Sequence, residues 1–273
     1  MCGQTIVWSV PLDPQGSSRK EKGAGVSEEP QSQWKPLPRL RTHEQVMAEI
    51  ESRLIAGTLK AGDRLPPERQ FAEALGVSRG AVREALRILE AIGVVEAGTG
   101  SGPTSGSMIV KDSIAGMAMV MRIHLQLASF TQEDLVEVRL QMEGLAARKA
   151  AQSATSEDIA DLRKLVEQMR GVHTTASFND LDTAFHVRIA RASDNGLAAV
   201  LMAALREALR QAMVTAFEGL EDPVRTMESV ADEHAAIVDA IASGDADLAV
   251  ERVTTHIRDF YRAVGFSETK WAV

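Results

Sequence analysis

The stretch DRLPPERQFAEALGVSRGAVREALRILEAIGVVEAGTGSG, residues 63–102, decides the fold of the first half of the chain. Pro66 and Pro67 restrict the backbone to an extended conformation. The second proline is suited to the start of a short helix that ends near Leu75. Gly76–Val77 follows as a turn, and the hydroxyl of Ser78 is suited to cap another helix. The spacing therefore predicts two helices joined by a tight turn.

The second of these helices has an apolar face and a basic face. Arg79, Arg83 and Arg87 are four residues apart and fall together on the basic face. Guanidinium groups there can bind phosphates and guanine edges in a DNA groove, or form ion pairs with Glu84 and Glu90 on a solvated face. The apolar positions recur at three- and four-residue steps and form an inward stripe: Val82, Ala85, Leu86, Leu89 and Ile92.

Two short strands around a glycine loop are predicted after this helix. The strands are residues 93–96 and 108–110, and the loop contains Gly98, Gly100 and Gly102. Such a β wing beside a helix-turn-helix favours the DNA-binding interpretation over the solvated face. A helix from Glu44 to Ile55 precedes the stretch and completes a three-helix winged unit; Val46, Ile50, Arg53 and Leu54 lie on or near one of its faces, and Gly57 closes it.

This segment resembles the DNA-binding domain of the GntR family of bacterial transcription regulators. The resemblance rests on GDRLPPER at 62–69, LGVSR at 75–79, VREAL at 82–86, LE at 89–90, GVVE at 93–96 and GSG at 100–102. It implies that a glycine wing tip enters the minor groove. One departure is Gly98, where the family often has a basic residue. The implied DNA-binding residues are Arg69, Ser78, Arg79, Arg83, Gly100 and Gly102.

Length and composition narrow the class of protein. The 273 residues are enough for two domains with cores of their own. The single cysteine, Cys2, excludes an internal disulfide framework and fits a reducing cytosol. No run of 18 apolar residues exists, and the first residues lack the pattern of a signal peptide. We therefore expect a cytoplasmic, nucleoid-associated protein with no membrane partner.

Charge is distributed unevenly along the chain. Residues 41–111 carry 9 Lys and Arg against 9 Asp and Glu, whereas residues 112–273 carry 16 against 25. DNA should repel the acidic second part, so contact with DNA is expected to be local to the arginines of the first part.

The pattern after Val110 is helical to the end. We expect about seven helices, near 113–128, 131–152, 156–170, 177–193, 196–219, 223–242 and 245–264, with Thr131, Ser156 and Ser177 as caps and Pro223 at a helix start. The predicted fold is mainly α, a winged helix-turn-helix followed by an all-α bundle. The predicted limits are 1–36 for a disordered extension, 37–111 for the winged domain, 112–266 for the bundle and 267–273 for a tail.

Several polar residues lie on the apolar stripes of these helices. His234 and His256 fall within the stripes of the last two helices, and Asp182 and His186 lie four apart at the edge of another. One inward histidine is usually a hydrogen-bonded core residue. Each of these four groups would destabilise the fold by about 1–3 kcal/mol if it were buried without a partner. One divalent ion bound by all four would give each of them a partner. Zinc, nickel, manganese and iron all suit this ligand set.

Arg139 also lies at the edge of an apolar stripe, which is formed by Leu135, Val138, Met142, Leu145 and Ala146. It is suited to one of two roles. As a structural residue it would be the buried partner of Glu143 or Asp182. As a binding residue its guanidinium would clamp a carboxylate whose other oxygen is bound by the ion.

These positions resemble the FCD effector domain of the FadR-like branch of the GntR family. The matching residues are VRL at 138–140 with Glu143, Asp182 with FH at 185–186, EH at 233–234 and HI at 256–257. The resemblance implies metal ligation by Asp182, His186, His234 and His256, a small organic acid bound with the help of Arg139, and a homodimer.

The leading hypothesis is a dimeric regulator, expected to be a repressor, that binds an inverted-repeat operator and responds to a metal-bound carboxylate. A second hypothesis is a hydrolase-like metalloenzyme with an Asp/His₃ site. Against it, the sequence lacks an HExxH motif, and Glu233 is about 100° around the helix from His234. A third, a structural DNA-binding protein without a ligand, leaves the polar interior unexplained.

Overall fold

The structure, a computed structural model, describes residues 41–97, 106–111, 114–127 and 131–264. The predicted extension over 1–36, the loop glycines Gly98, Gly100 and Gly102, and the tail over 267–273 lie outside the described residues.

The first part of the chain folds as a three-helix unit with a small sheet. Its strands pair antiparallel, with Val95 opposite Ile109 and Glu96 opposite Met108. The extended segment before the second helix adds an isolated bridge from Arg64 to Met108. This is the predicted winged helix arrangement, with the elements α1 (Thr42–Ile55), α2 (Glu68–Leu75), α3 (Arg79–Ala91), β1 (Val95–Glu96) and β2 (Met108–Ile109).

The turn between α2 and α3 follows from its residue types. Gly76 has φ +65°, a left-handed conformation that glycine adopts without strain, and it ends α2. The Ser78 hydroxyl accepts a hydrogen bond from the amide of Ala81 at 3.2 Å, which confirms the predicted cap of α3.

The predicted inward stripe of α3 is correct at four positions and wrong at the fifth. Val82, Ala85, Leu86 and Leu89 are buried with residues of α1, α2 and both strands. Ile92 is 36 % exposed. It lies at the C-cap of α3, where Gly93, with φ +71°, turns the chain away from the helix axis.

The second part of the chain consists of seven helices over the described residues, each within two residues of its predicted position. A second apolar core lies among them, separate from that of the winged unit. The domain limits given above stay a prediction. The helices are α4 (Ile114–Leu127), α5 (Gln132–Ser153), α6 (Ser156–Arg170), α7 (Thr175–Ala192), α8 (Gly196–Glu218), α9 (Pro223–Ala242) and α10 (Ala246–Ala263).

Two predicted caps are wrong by one and three residues. Thr155, not Ser156, caps α6, and Thr174, not Ser177, caps α7. A cap accepts from the amide three residues ahead. The Thr155 hydroxyl accepts a hydrogen bond from the amide of Asp158 at 3.1 Å, and the Asp158 carboxylate accepts one from the amide of Thr155 at 2.7 Å. This reciprocal pair, which also occurs at Thr131, makes the threonine the better cap.

The inward face of α5 also differs from the predicted stripe. Leu135 and Ala146 are buried as predicted and Met142 is partly buried, but Val138 and Leu145 are about half exposed. Arg139 and Glu143 are buried instead. The buried face of α5 combines these two charged residues with alanines and Gly144, whose position lets Thr254 and Val250 of α10 approach closely. The apolar pattern is therefore wrong at two of its five positions, on the side where the helix buries an ion pair.

Packing within the bundle brings α5, α7, α8, α9 and α10 around one polar centre. α10 packs along α5 and α9, α7 packs on α8, and α4 lies across α8. α4 also touches the end of α3, since a Cβ added at Gly116 would lie 2.1 Å from the carbonyl oxygen of Ile92. Over the described residues, no helix is long and apolar enough to cross a membrane.

Candidate metal centre and nucleic-acid interface

The four predicted ligands meet in the centre of the bundle. Asp182 and His186 are one turn apart on α7, His234 comes from α9 and His256 from α10. All four side chains are buried, and each offers one ligand atom within 4.8 Å of the others. The Nε2 of His234 lies 3.3 Å from the Nε2 of His256 and 3.4 Å from the Asp182 carboxylate. The four residues could therefore hold a single ion.

The opposite ring nitrogen of each histidine has a partner that fixes the ring. The Nδ1 of His186 lies 2.5 Å from Glu143, and the Nδ1 of His256 lies 2.7 Å from Glu233. The Nδ1 of His234 faces the sulfur of Met169 at 3.2 Å. In metal sites a carboxylate on the far nitrogen orients the ring and makes it a stronger ligand. Two of the three histidines have this arrangement.

The Nε2 of His186 gives a test of whether the residues present suit an ion. It is buried and has no hydrogen-bond partner among the described residues; Asp182, at 3.6 Å, is too distant for one. When Nδ1 donates its hydrogen to Glu143, the Nε2 atom of the neutral ring carries no hydrogen. It can then offer its lone pair to a metal ion. An orphaned imidazole nitrogen beside two others and a carboxylate suits a divalent transition metal.

The protonation states also suit a metal site. Burial, assisted by the neighbouring His256, holds the pKa of His234 well below its usual range. Burial likewise lowers the pKa of His256, although Glu233 opposes this. Burial alone would raise the pKa of Asp182, but the attraction of Arg206 and of the histidines outweighs it and holds that pKa well below its usual range. Neutral imidazoles and an ionised carboxylate are the forms that bind metals.

A buried network of charges lies against the four ligands. Arg139 donates to Glu143 at 2.8 Å and to the hydroxyl of Tyr261 at 2.8 Å. Arg206 donates to Asp182 at 2.6 Å and to both oxygens of Glu143 at 3.1 Å. Each positive group therefore has a carboxylate partner, without which burial would be very costly.

The pKa values in this network favour the charged forms of both partners. Burial would lower the pKa of Arg139, but the attraction of Glu143 and Tyr261 raises it instead. Burial would raise the pKa of Glu143, but Arg139 and Arg206 hold it well below its usual range.

A small cavity opens beside the four ligands. Its volume is about 20 Å³, which is room for about one water molecule. The polar part of its wall is formed by Arg139, Asn179, Asp182, Arg206 and His256. The sequence-predicted Arg139 is therefore both the partner of Glu143 and a wall residue of this cavity.

Arg206 and Asn179 were missed by the sequence analysis, although both positions carried a signal. Arg206 has apolar neighbours at three- and four-residue steps, Met202 and Leu209, and therefore lies on the inward stripe of α8. Asn179 lies three residues before Asp182, on the same face of α7. The test that singled out Arg139 would have found both.

The candidate DNA-binding side chains lie on the surface of the winged unit. Arg79, the first residue of α3, is exposed. Arg83 is exposed and forms an ion pair with Glu68 of α2 at 3.1 Å, rather than with Glu84 or Glu90. Arg69 lies 3.8 Å from Glu73. Ser78 caps α3, while Gly100 and Gly102 lie outside the described residues.

Comparison with known families gives two matches. The description "Bacterial regulatory proteins, gntR family" matches residues 42–104, and "FCD domain" matches residues 134–259. Together they cover well over half of the chain. The first match contains α1 to α3 with β1, and the second contains all four candidate ligands.

Three curated relatives are similar over most of their length. The Glc operon transcriptional activator of Escherichia coli K12 is 28 % identical over 222 residues, 78 % of this chain and 85 % of the relative. The Exu regulon transcriptional regulator of the same strain is 27 % identical, covering 84 % and 86 %. The HTH-type transcriptional regulator LutR of Bacillus subtilis 168 is 29 % identical, covering 74 % and 91 %.

A solved structure shares the fold. The Streptococcus agalactiae GntR structure aligns with a TM-score of 0.56 at 24 % identity, covering 81 % of this chain and 99 % of that one. The sequence and structural comparisons therefore agree on a winged helix unit followed by a helical domain.

Proposed function

The chain belongs to the GntR family of bacterial regulatory proteins and carries a C-terminal FCD domain, and on that premise we propose that it is an acid-responsive repressor. A family member with this domain pair is a DNA-binding transcription regulator and not an enzyme. The finer proposal is that a small organic acid, bound at a divalent metal site in the bundle, controls affinity for an inverted-repeat operator. The relatives give no support to the hydrolase alternative, since all three are named as transcription regulators.

The proposed DNA surface is the exposed face of α3 with the start of α2. Arg79 and Arg83 are one turn apart on that face, and Arg69 projects from α2. The ion pair between Arg83 and Glu68 is half exposed, so its net strength is modest and a DNA phosphate can replace the carboxylate. We further propose that Ser78 contributes its hydroxyl, and that Gly100 and Gly102 let the wing approach the minor groove.

The single observation that carries the metal proposal is the orphaned Nε2 of His186 at the centre of the ligand set. Asp182, His186, His234 and His256 would hold the ion, and Glu143 and Glu233 would orient two of the rings. When bound, a divalent metal such as zinc, nickel, manganese or iron supplies a positive centre with an open position for an oxygen ligand.

The charges around the site favour an anionic effector. Arg139 and Arg206 are balanced by Glu143 and Asp182, so a divalent ion adds two positive charges, and Glu233 offsets one of them. One carboxylate group would neutralise the remainder in a buried, weakly screened setting. Arg139, in the cavity wall, is the proposed clamp for that carboxylate.

The packing offers a physical route from this site to the DNA surface. Arg206 belongs to α8, α4 lies across α8, and the start of α4 touches Ile92 and Gly93 at the end of α3. We propose that the acid binds more tightly to one arrangement of α4 and α3 than to the other. Only such a difference in affinity can change the affinity for DNA.

A thermal-shift screen tests the effector proposal. The purified protein is heated with mono-, di- and tricarboxylates and sugar acids, with and without prior chelation. A ligand present at a hundred times its dissociation constant adds about 2.7 kcal/mol to the free energy of unfolding, which is a visible shift. We expect some acids to raise the melting temperature, and the shift to vanish after chelation. The proposal is wrong if no acid shifts the protein, or if the shift survives complete removal of metal.

A further inference from the structure

Glu68 is an acidic residue within the proposed DNA surface, where a negative charge opposes the binding of phosphates. It is the first residue of α2, and its carboxylate lies against Arg83 in the second turn of α3. The two residues are 15 positions apart, so their contact depends on the angle that the turn at Gly76 sets between the two helices. An exposed ion pair contributes little to stability. The effect of Glu68 on Arg83 therefore needs another explanation.

The ion pair uses only one side of the Arg83 guanidinium. Its Nε atom lies 3.2 and 3.4 Å from the two oxygens of Glu68, and its Nη2 atom lies 3.1 Å from one of them. The Nη1 atom has no hydrogen-bond partner among the residues that the structure describes. A guanidinium carries five N–H groups in one plane. The outer edge, formed by Nη1 and the second hydrogen of Nη2, is therefore available on a half-exposed side chain.

A guanine can bind this outer edge while the ion pair persists. Its O6 and N7 atoms are two neutral acceptors in the major groove, and the two donors of an arginine edge match them. A phosphate is an anion, so it either replaces Glu68 or lies near it against the repulsion of like charges. The ion pair also restricts the rotamers of Arg83 before DNA arrives, so less conformational entropy is lost on binding a base.

We propose that Glu68 determines sequence specificity by positioning Arg83 to read a guanine of the operator. Glu68 acts through Arg83, because it orients the outer edge of the guanidinium and offsets the charge that would attract phosphates. This inference rests on the proposed DNA surface and is independent of the metal and effector proposals.

The alternative role of Glu68 is structural. An acidic residue in the first turn of a helix stabilises that helix through its dipole. Replacement of Glu68 would then lower the melting temperature and weaken binding to every DNA sequence by the same factor. The positioning role predicts a change in sequence preference instead, with stronger binding to DNA that lacks the guanine.

The experiment compares the full-length wild type with Glu68→Gln, Glu68→Ala and Arg83→Ala. The operator is a duplex selected from a random pool, and each guanine position is replaced in turn by 7-deazaguanine, which lacks the N7 acceptor but pairs normally. A scrambled duplex measures non-specific affinity. Glu84→Gln is the matched control, because it removes an exposed negative charge of α3 that lies outside the ion pair. Fluorescence anisotropy at several salt concentrations measures affinity, and thermal melting measures stability.

The expected result is a change in base preference. In the wild type, 7-deazaguanine at one position should weaken binding about tenfold or more, the factor given by one charge-assisted hydrogen bond. Arg83→Ala should be insensitive at that position. Both Glu68 variants should reduce the loss to about threefold or less, because Arg83 then binds phosphates as well. Glu84→Gln should keep the wild-type loss, whatever its overall affinity.

The scrambled duplex gives an independent readout. Both Glu68 variants should bind it more tightly than the wild type does. Their affinity should also depend more steeply on salt, by about one phosphate contact per protomer, because Arg83 is released to the DNA backbone.

Several results would overturn the inference. It is wrong if no guanine position depends on Arg83, if Glu68→Gln keeps the full wild-type loss, or if Glu84→Gln reduces that loss equally. If both Glu68 variants bind every duplex more weakly by one common factor, the residue is structural and the inference also fails. If Arg83→Ala binds every duplex as tightly as the wild type, the proposed DNA surface is itself wrong at Arg83.

Discussion

At the scale of single residues, the buried centre keeps its charged side chains because each arginine lies against a carboxylate. Arg206 illustrates this, since it bonds Asp182 and Glu143 at the same time. Removal of any one charge would leave its partner buried and unpaired, which typically costs about 3–5 kcal/mol. The histidine ligands are therefore cleaner targets for mutation than the arginines or Asp182.

A variant lacking one ligand should lose the metal. We expect His234→Ala to bind little or no divalent ion, because its imidazole is fully buried among the other three ligands. Elemental analysis after dialysis measures the ion per protomer. His173→Ala, which removes an exposed histidine outside the cluster, is the control and should match the wild type. Equal metal content in His234→Ala and the wild type would exclude the site.

The arginines of α3 give a second prediction at this scale. Arg79→Ala and Arg83→Ala should each weaken operator binding by about 1–3 kcal/mol if the side chain contacts a base. A duplex selected from a random pool provides the operator, and fluorescence anisotropy provides the affinity at fixed salt. Arg163→Ala, an exposed arginine of α6, is the control. A variant that binds the operator as tightly as the wild type removes that arginine from the DNA surface.

At the scale of elements, the contact between α4 and the end of α3 connects the two parts of the protein. Gly116 makes it possible, because any side chain there would collide with the backbone at Ile92 and Gly93. A buried glycine in a helix usually costs about 1 kcal/mol relative to alanine, so its presence here indicates that close approach is needed.

Gly116→Ala should therefore uncouple the two parts. We expect acid affinity within about twofold of the wild type, because the substitution lies away from the cavity, but a reduced effect of the acid on operator binding. Gly196→Ala is the matched control, since a Cβ at the start of α8 meets open space. Anisotropy titrations with and without acid measure the coupling. An unchanged response in Gly116→Ala would show that the signal does not pass through this contact.

The sequence predicted the elements well because their limits depend on local chemistry. Pro67, Ser78, Thr131 and Pro223 act within a few residues of themselves, so the helices lie close to their predicted positions. The four inward ligands were found because helical spacing places them on buried faces. The spacing could not determine which arginine pairs with Asp182, because that choice depends on how α5 and α8 pack against α7. In the structure Arg206 pairs with Asp182, and Arg139 pairs with Glu143.

At the scale of the whole molecule, stability should depend on pH through the buried histidines. His234 and His256 have lowered pKa values in the folded, metal-free protein, whereas unfolded histidines titrate near about 6.5. As pH falls below about 6.5, the unfolded chain takes up protons that the folded protein does not. The free energy of unfolding should therefore fall with pH, by up to about 1.4 kcal/mol per pH unit for each histidine.

Urea unfolding of chelated protein at several pH values between 7.5 and 5 measures this dependence. His234→Leu should show a shallower decline, and the exposed control His173→Gln should not differ from the wild type. The lowered pKa values of Asp182 and Glu143 also make the free energy of unfolding fall as the pH falls, but only below about pH 4. Constant stability across the upper window would mean that the histidines have the same pKa in the folded and unfolded protein, as they would if they were not buried in solution.

The central claim is that an acid bound at the metal centre changes the affinity of the winged unit for DNA. The most direct measurement is operator anisotropy with the acid found by thermal shift, on metal-loaded, chelated and His234→Ala protein. We predict that the acid weakens operator binding about fivefold or more in the metal-loaded protein alone, and that saturating operator weakens acid binding by the same factor. An acid that binds at the metal yet leaves operator affinity unchanged would contradict this account of the protein.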